Sequence, residues 1–171
     1  MTDERMGEAL WPALRHLPRG AGIVFRHYSL RPTERRALYE RVRRVGRARR
    51  LMVLVAGPPA LAIAWRADGA HGRSPHRRAS RPLIRTMPCH DCAALVAGRR
   101  AGCALRFLSP IHATRSHPGG AGLGRVRAGL MIGRDRAGIV ALGGMDRRRA
   151  ASLRRLGILR WAAIDAWLQD A

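Results

Sequence analysis

Short apolar segments alternate with amphipathic segments along most of this chain. Leu51–Val55 is a continuous apolar run, which is typical of a strand buried on both faces of a parallel sheet. Thr33–Arg47 instead carries its apolar residues at helical spacing, and the threonine at its start predicts a helix cap. Because similar segments recur as far as Ile164, the pattern predicts parallel strands that each tend to be followed by a helix.

About seven strands are predicted in this way. The predicted strands are Gly22–Arg26, Leu51–Val55, Asp68–His71, Leu83–Met87, Ala104–Leu108, Ile139–Leu142 and Arg160–Ile164. The predicted helices are Glu4–Leu17, Thr33–Arg47, Pro58–Trp65, His90–Ala101, Leu123–Gly133 and Asp146–Leu156. This alternation indicates an α/β fold, a TIM-type (β/α) barrel. Since such a barrel closes with eight strands, we expect it to lack its first strand, and we interpret residues 1–171 as a single (β/α)-barrel domain that is N-terminally truncated.

Two polar loops at neighbouring strand ends are the main candidates for a binding site. Ser109–Gly120 follows one predicted strand, and Gly143-Gly144 follows the next. Glycines let backbone amides approach an anion closely, and the positive end of a following helix adds to the attraction. Either loop alone is also what an ordinary turn looks like. Together they favour a phosphate site, because the last loops of a (β/α) barrel often hold phosphate.

The charge of the chain bears on its partners. The net charge is +22 and the chain contains no lysine, so all 33 basic residues are arginine. Such a charge favours contact with polyanions. The arginines are spread over the whole length, however, and aromatic residues make up only 5% of the chain, which leaves few rings to stack on bases. Specific nucleic-acid binding is therefore disfavoured, and an arginine-rich nucleic-acid binder stays a further alternative.

Membrane and metal sites are not indicated by the sequence. The longest uncharged apolar stretch, Leu51–Trp65, is shorter than the ~20 residues of a membrane span. The N-terminal Met1–Arg5 lacks the pattern of a signal peptide, so a cytoplasmic location is expected. Cys89 and Cys92 have the spacing of a redox pair or half a zinc site. Since structural zinc needs four ligands, we interpret the cysteines as packing residues and predict no metal ligands.

Several short motifs, in their order and spacing, resemble the thiamine-phosphate synthase and thiazole tautomerase family of (β/α) barrels. The similarity runs from Thr2 to Ile164. The matching segments are Thr2-Asp3 at the end of a first strand, Asp68–His71 for Asp-Gly-Val-His, Pro88–His90 for Ser-x-His, Ser109–His117 for Gly-Pro-x-Phe-x-Thr-x-Thr-Lys, and Ala141–Met145 for Ala-Ile-Gly-Gly-Ile.

The resemblance implies a transferase of thiamine biosynthesis that binds thiazole phosphate. Family members join it to aminopyrimidine pyrophosphate with Mg²⁺ and release pyrophosphate, so the implied partner is a small phosphorylated heterocycle. The implied phosphate-binding residues are Thr114, Ser116, Gly143 and Gly144, and Arg26 is the implied catalytic arginine. His112 and His117 are further catalytic candidates because of the chemistry of their imidazole rings. Arg26 stands at the arginine of a Gln-x-Arg-x-Lys motif. His117 replaces a phosphate-binding lysine, and an imidazole at His112 or His117 can act as a base near neutral pH.

The chain departs from the family pattern mainly where Mg²⁺ is expected. Ala56 and Gly57 stand at an Asn-Asp pair, and Ser74-Pro75-His76 stands at Gln-x-Asp. Val24 and Tyr28 replace the Gln and Lys of the arginine motif. Because Mg²⁺ prefers hard oxygen ligands, we expect magnesium-dependent synthesis to be weak or absent. The alternatives are a metal-independent tautomerase-like enzyme and a phosphate-binding barrel without catalysis.

Overall fold

The computed structural model describes residues 1–74, 82–114 and 121–167. These residues form two compact units. The first unit contains residues 1–74, 82–84 and 164–167, and the second contains residues 85–114 and 121–163. Among these described residues, no helix is both long enough and apolar enough to cross a membrane.

The first unit contains three parallel strands and three helices. Its strands are β1 (Gly22–Phe25), β2 (Met52–Ala56) and β3 (Gly69–His71), with β2 paired to both others. Its helices are α1 (Leu10–His16), α2 (Pro32–Ala48) and α3 (Pro59–Ala64), and short 3-10 turns cover Glu4–Ala9 and Asp165–Trp167. The predicted strands and helices of this unit are all present, with ends shifted by a few residues.

The core of the first unit explains why the apolar run Leu51–Val55 correctly predicts a buried strand. Val53 and Val55 of β2 are buried on the same side as Phe25, Tyr39 and Val42, while the other face of β2 buries its own apolar side chains. A strand that is covered on both faces has no polar positions to alternate with. The continuous run therefore marked a central strand correctly.

The start of helix α2 differs from the prediction. The cap position is Arg31, which makes no capping hydrogen bond with its side chain, and Pro32 is the first helical residue. Thr33 is therefore inside the helix, and its predicted role as the cap is wrong. Proline is well suited to the first turn, because its ring fixes a helical φ angle and its missing N–H has no partner there in any helix.

The second unit contains four parallel strands and three helices within the described residues. Its strands, in order of pairing, are β4 (Ile84–Cys89), β5 (Leu105–Leu108), β6 (Ile139–Ala141) and β7 (Arg160–Trp161). Its helices are α4 (Cys92–Arg100), α5 (Gly124–Ile132) and α6 (Arg147–Leu153), and α6 continues into a 3-10 turn at Arg154–Leu156. The described chain thus has the seven strands that the sequence predicts.

The segment before the first helical turn lies against strand β1. The amide of Thr2 donates to the carbonyl oxygen of Val24 at 2.9 Å, and the Thr2 hydroxyl accepts from the amide of Arg26 at 3.0 Å. Thr2 and Asp3 are both buried. This segment forms no strand of its own among the described residues, yet it contacts β1 where the sequence suggested the end of a first strand.

Candidate functional site

The loops that follow β5 and β6 are joined by backbone hydrogen bonds. The amide of Ile111 donates to the carbonyl oxygen of Leu142 at 2.8 Å, and the amide of His112 donates to that of Gly143 at 3.1 Å. The two polar loops that the sequence singled out therefore continue side by side beyond the strands. His112, Gly143 and Gly144, three of the predicted site residues, are brought together there.

The glycine pair is required by the close approach of these loops. Gly143 and Gly144 have φ angles of 91° and 58°, in the left-handed region that favours glycine. A Cβ atom on Gly143 would lie 2.7 Å from the Cα of Pro110, and one on Gly144 would lie 2.3 Å from the carbonyl oxygen of Ala113. Neither glycine amide donates to an acceptor among the described residues. Among the described residues, these two amide N–H groups therefore have no acceptor, and they lie on a backbone that only glycine fits.

His112 is a half-buried imidazole beside this pair. Its Cβ lies 3.0 Å from the point where a Cβ of Gly144 would be. Its Nε2 is buried without a hydrogen-bond partner among the described residues. Burial lowers the pKa of His112, and the positive charge of Arg149 lowers it further. The ring is therefore neutral at pH 7, and a neutral imidazole is able to act as a base.

Arg149 belongs to the same group but was missed at the level of sequence. Its guanidinium donates through Nη1 to the carbonyl oxygen of Gly144, and its Nε lies 3.6 Å from the carboxylate of Asp146. Asp146 is the N-cap of α6, and its side chain accepts from the amide of Arg149 at 2.7 Å. A carboxylate therefore occupies the start of this helix, where the sequence suggested that the helix end would attract phosphate. The sequence signal for this arrangement is an arginine, Arg149, three residues after an aspartate that can cap a helix, Asp146.

The remaining predicted phosphate ligands follow His112 along the chain. Thr114 is half-buried and described, whereas Ser116 and His117 lie outside the described residues. Their predicted roles as a phosphate ligand and as a catalytic residue stay predictions.

Arg26 extends from the end of β1 in the first unit. Its Nη1 lies 3.7 Å from the carboxylate of Asp3, and its guanidinium lies 5.8 Å from the ring centre of Tyr28. Burial raises the pKa of Asp3, but hydrogen bonds from Arg5 and the charges of Arg5 and Arg26 outweigh this and lower it overall. Asp3 is therefore ionised and forms an ion pair with Nη1 of Arg26. The other guanidinium N–H groups of Arg26 could donate to a ligand.

A second guanidinium, that of Arg35, lies at the ends of β1 and β2. Its Nε donates to the carbonyl oxygen of Arg26 at 3.0 Å, and its Nη2 donates to that of Ala56 at 2.7 Å. It also lies 5.3 Å from the ring centres of Tyr28 and Trp65, within the range of a cation–π contact. The role of Arg35 is not evident from the sequence, because an arginine on a helix is normally exposed to solvent.

His71 ends β3 and is buried. Burial, followed by the charges of Arg26 and of the N-terminal amine, lowers the pKa of His71 to about 4. It is therefore neutral over the physiological range. Its carbonyl oxygen accepts from the amide of Gly57 at 3.0 Å, so this strand end is fixed by backbone pairing.

The described residues do not fit the Mg²⁺ ion that the family resemblance implies. Ala56 and Gly57 have no side-chain oxygen, and Arg35 brings a positive charge to the carbonyl of Ala56. Within residues 1–74, 82–114 and 121–167, no three His, Cys, Asp or Glu side chains are grouped so that they could hold a metal. Mg²⁺ requires several oxygen ligands in octahedral array, and the side chains at Ala56 and Gly57 supply none.

The chain is similar to known proteins both in sequence and in structure. A family model described as Thiamine monophosphate synthase matches residues 6–167. The solved thiamine phosphate pyrophosphorylase of Pyrococcus furiosus is 18% identical, with a TM-score of 0.80 over 98% of this chain and 84% of that chain. The enzyme of the same name from Bacteroides thetaiotaomicron is 16% identical, with a TM-score of 0.58 over 96% and 81%. No curated protein sequence matches the chain. At such identities the likeness shows the fold, and it confirms the predicted α/β, TIM-like architecture.

Proposed function

The chain belongs to the thiamine monophosphate synthase family, and on this premise we propose that it binds thiazole phosphate at the loops after β5 and β6. The proposal rests on Gly143 and Gly144, which both have positive φ angles and whose amide N–H groups have no acceptor among the described residues. Successive backbone N–H groups in such conformations form a concave donor surface for anions. Only a residue without a Cβ fits there, so the surface is specific to the glycine pair.

Side chains around the glycine pair suit a phosphate monoester. Arg149, in the first turn of α6, donates to the carbonyl oxygen of Gly144 and so brings a positive charge beside the glycine pair. Hydrogen bonds from a guanidinium to phosphate are among the stronger ones in proteins. Thr114 carries a hydroxyl close in sequence to His112. The heterocycle attached to the phosphate would then pass the imidazole of His112, which is neutral and keeps a free ring nitrogen.

We further propose that the first unit, taken by itself, binds the pyrophosphate group of an aminopyrimidine pyrophosphate. In the transfer that the family resemblance implies, a C–N bond forms, the C–O bond to pyrophosphate breaks, and pyrophosphate leaves with the electron pair. The departing group carries several negative charges. Arg26 and Arg35 supply two guanidinium groups around the exposed ring of Tyr28. Arginine pairs with phosphate oxygens without a metal, which matches the lack of fit for Mg²⁺.

A matched pair of arginine variants tests the phosphate proposal. Arg149→Gln removes the guanidinium at Gly144, whereas Arg148→Gln removes another exposed charge from the preceding position of α6. Calorimetric titration with thiazole phosphate should show an affinity about tenfold lower for Arg149→Gln. Arg148→Gln should bind like the unchanged protein. Equal losses in both variants would mean that only the overall charge attracts the ligand.

A second candidate function is a metal-independent tautomerase-like reaction on the same phosphorylated thiazole. It is favoured by the unpartnered Nε2 and the lowered pKa of His112, because a proton transfer within the ring requires only a base. His112→Gln should abolish tautomer interconversion, followed by ultraviolet absorbance, while thiazole phosphate still binds. Retained interconversion would exclude His112 as the base.

A further inference from the structure

A cavity outside the strand-end loops lies on the helical face of the second unit. It has a volume of about 130 Å³ and lies between α4 and α5. Five of its nine lining residues are apolar, namely Leu95, Val96, Met131, Ile132 and Ile139. None of its lining residues belongs to the proposed phosphate site.

An ion pair between a buried arginine and a half-exposed aspartate also lines this cavity. Arg106 of β5 has a side chain that is only 5% exposed, and its two Nη atoms donate to Asp135 at 2.7 and 3.0 Å. Its Nε has no partner among the described residues. A Cβ on Gly98 would lie 3.0 Å from the Cγ of Arg106, and one on Gly138 would lie 2.6 Å from its Nη2. Two glycines therefore make room for a cation at a position where a strand residue facing helices is normally apolar.

The rim of the cavity carries a second cation. Arg99, in the last turn of α4, lines the cavity and is exposed, and it makes no ion pair with any described residue. The lining thus has two guanidinium groups, those of Arg99 and Arg106, against one carboxylate, that of Asp135. Two positive charges less one negative charge leave a net charge of +1 beside an apolar wall.

We propose that this α4–α5 cavity binds a short aliphatic monocarboxylate. The carboxylate would pair with Arg99, whose planar fork fits two carboxylate oxygens, and the alkyl chain would lie against Leu95, Val96 and Ile132. A monoanion is favoured over a dianion, because Asp135 already takes both Nη groups of Arg106 and would repel a second negative charge. The volume of the cavity limits the size of the ligand. One water molecule needs roughly 10–15 Å³ of cavity volume, so the cavity has room for about ten. A chain of a few carbons fits into this space, and a drug-sized ligand does not.

Cys92 provides a local reporter of occupancy. It is the first residue of α4, it lines the cavity and it is exposed, whereas Cys89 and Cys103 are buried. Iodoacetamide should therefore alkylate Cys92 first in the folded protein, and mass spectrometry identifies the modified peptide. Hexanoate should slow this alkylation in a saturable way. Acetate at the same ionic strength and neutral hexanamide should not slow it, since the first lacks the alkyl chain and the second lacks the charge.

Two variants separate the cavity from the general positive charge of the surface. Arg99→Gln removes the rim cation, and Arg100→Gln removes the next arginine of the same helix, which does not line the cavity. The hexanoate concentration for half-protection should rise about tenfold in Arg99→Gln and stay unchanged in Arg100→Gln. The proposal is overturned if hexanoate gives no protection, if hexanamide protects equally, or if the two variants respond alike. Thiazole phosphate binding is measured in parallel and should be unaffected, so the outcome is independent of the proposed function.

Discussion

The loops after β5 and β6 and the strand ends of β1 and β2 offer an anion two different kinds of donor. In the loops, the donors are backbone amides of Gly143 and Gly144, on a chain path that admits no Cβ. At the ends of β1 and β2, the donors are the side chains of Arg26 and Arg35, which are held by carbonyl oxygens and aromatic rings. Backbone donors depend on a few glycines, whereas side-chain donors depend on many neighbours in the surrounding core.

This difference bears on the two motifs that the family resemblance implies, one after β6 and one at the end of β2. The glycine motif after β6 is present, because its geometry is needed for the two loops to pair at all. At the end of β2, Ala56 and Gly57 have no side-chain oxygen where the resemblance implies an Asn-Asp pair, and their backbone is fixed by Arg35 and by His71. The fold at the strand end therefore does not depend on the side chains that would hold a metal.

The largest expected effect concerns the buried His71 of the first unit. Its pKa is about 4 in the folded protein against an ordinary value of 6.5. Because the folded state prefers the neutral ring, this stabilisation is complete above pH 6.5 and is lost as the pH falls towards 4. The shift corresponds to about 3 kcal/mol in total, of which about 2 kcal/mol should be lost between pH 7 and pH 5. Urea denaturation at both pH values measures it.

A variant isolates this histidine from the other groups. His71→Gln should reduce the loss of stability between pH 7 and pH 5, while His16→Gln, at an exposed position, should keep it. Asp3 and Glu4 also have lowered pKa values, from ordinary values of 3.8 and 4.5. Their contribution is lost mainly below pH 5. The pKa values of the N-terminal amine, lowered from 8.0 to about 5, and of His27 and His112, lowered from 6.5, also make stability fall between pH 7 and pH 5. The contribution of His71 is therefore the difference between the losses measured for His71→Gln and for His16→Gln. An unchanged pH dependence in His71→Gln would contradict the assignment.

Arg35 should have the next largest effect, again in the first unit. Arg35→Met keeps much of the packing against Trp65 but leaves the carbonyl oxygens of Arg26 and Ala56 without their donors. Unsatisfied carbonyls and lost charge-assisted hydrogen bonds should lower the free energy of unfolding by about 2 kcal/mol. Arg44→Met, on the same helix at an exposed position, is the control and should change stability little. Equal stability of the two variants would show that Arg35 is not needed to fix the strand ends.

Gly144→Val should act on ligand binding in the second unit. The new Cβ would lie 2.3 Å from the carbonyl oxygen of Ala113, so the loop must move and its amide changes direction. Thiazole phosphate should bind at least tenfold more weakly, or by about 1.4 kcal/mol. Gly102→Val is the matched control, since Gly102 has a φ of 69° and no atom within 4 Å of a Cβ. If calorimetry finds an unchanged affinity for thiazole phosphate in a folded Gly144→Val variant, the glycine pair only forms a turn and does not bind the phosphate.

Features that depend on neighbouring residues in the sequence could be predicted, whereas contacts between distant residues could not. The apolar run of β2 and the glycine pair after β6 are local signals, and both were located correctly. The guanidinium of Arg35 was not foreseen, because its partners Arg26 and Ala56 are distant in sequence and only the packing of α2 on the strands brings them together. Thr33 was misassigned as a cap since its neighbour Pro32 begins the helix by a different mechanism. The roles of Ser116 and His117 stay predictions.

The smallest expected effect is that of magnesium on turnover. If guanidinium groups supply the charge that a family metal supplies elsewhere, thiamine phosphate formation from both substrates should differ less than about threefold between excess EDTA and millimolar Mg²⁺. Arg26→Met should then reduce the metal-free rate, because Arg26 is one of two cations at the ends of β1 and β2 that are suited to the leaving group. The assay separates pyrophosphate release from substrate binding, which calorimetry measures independently. A strong dependence on Mg²⁺ would show that oxygen ligands other than side chains at Ala56 and Gly57 hold the metal. A complete lack of turnover with normal thiazole phosphate affinity would leave a phosphate-binding member of the family without the transferase step.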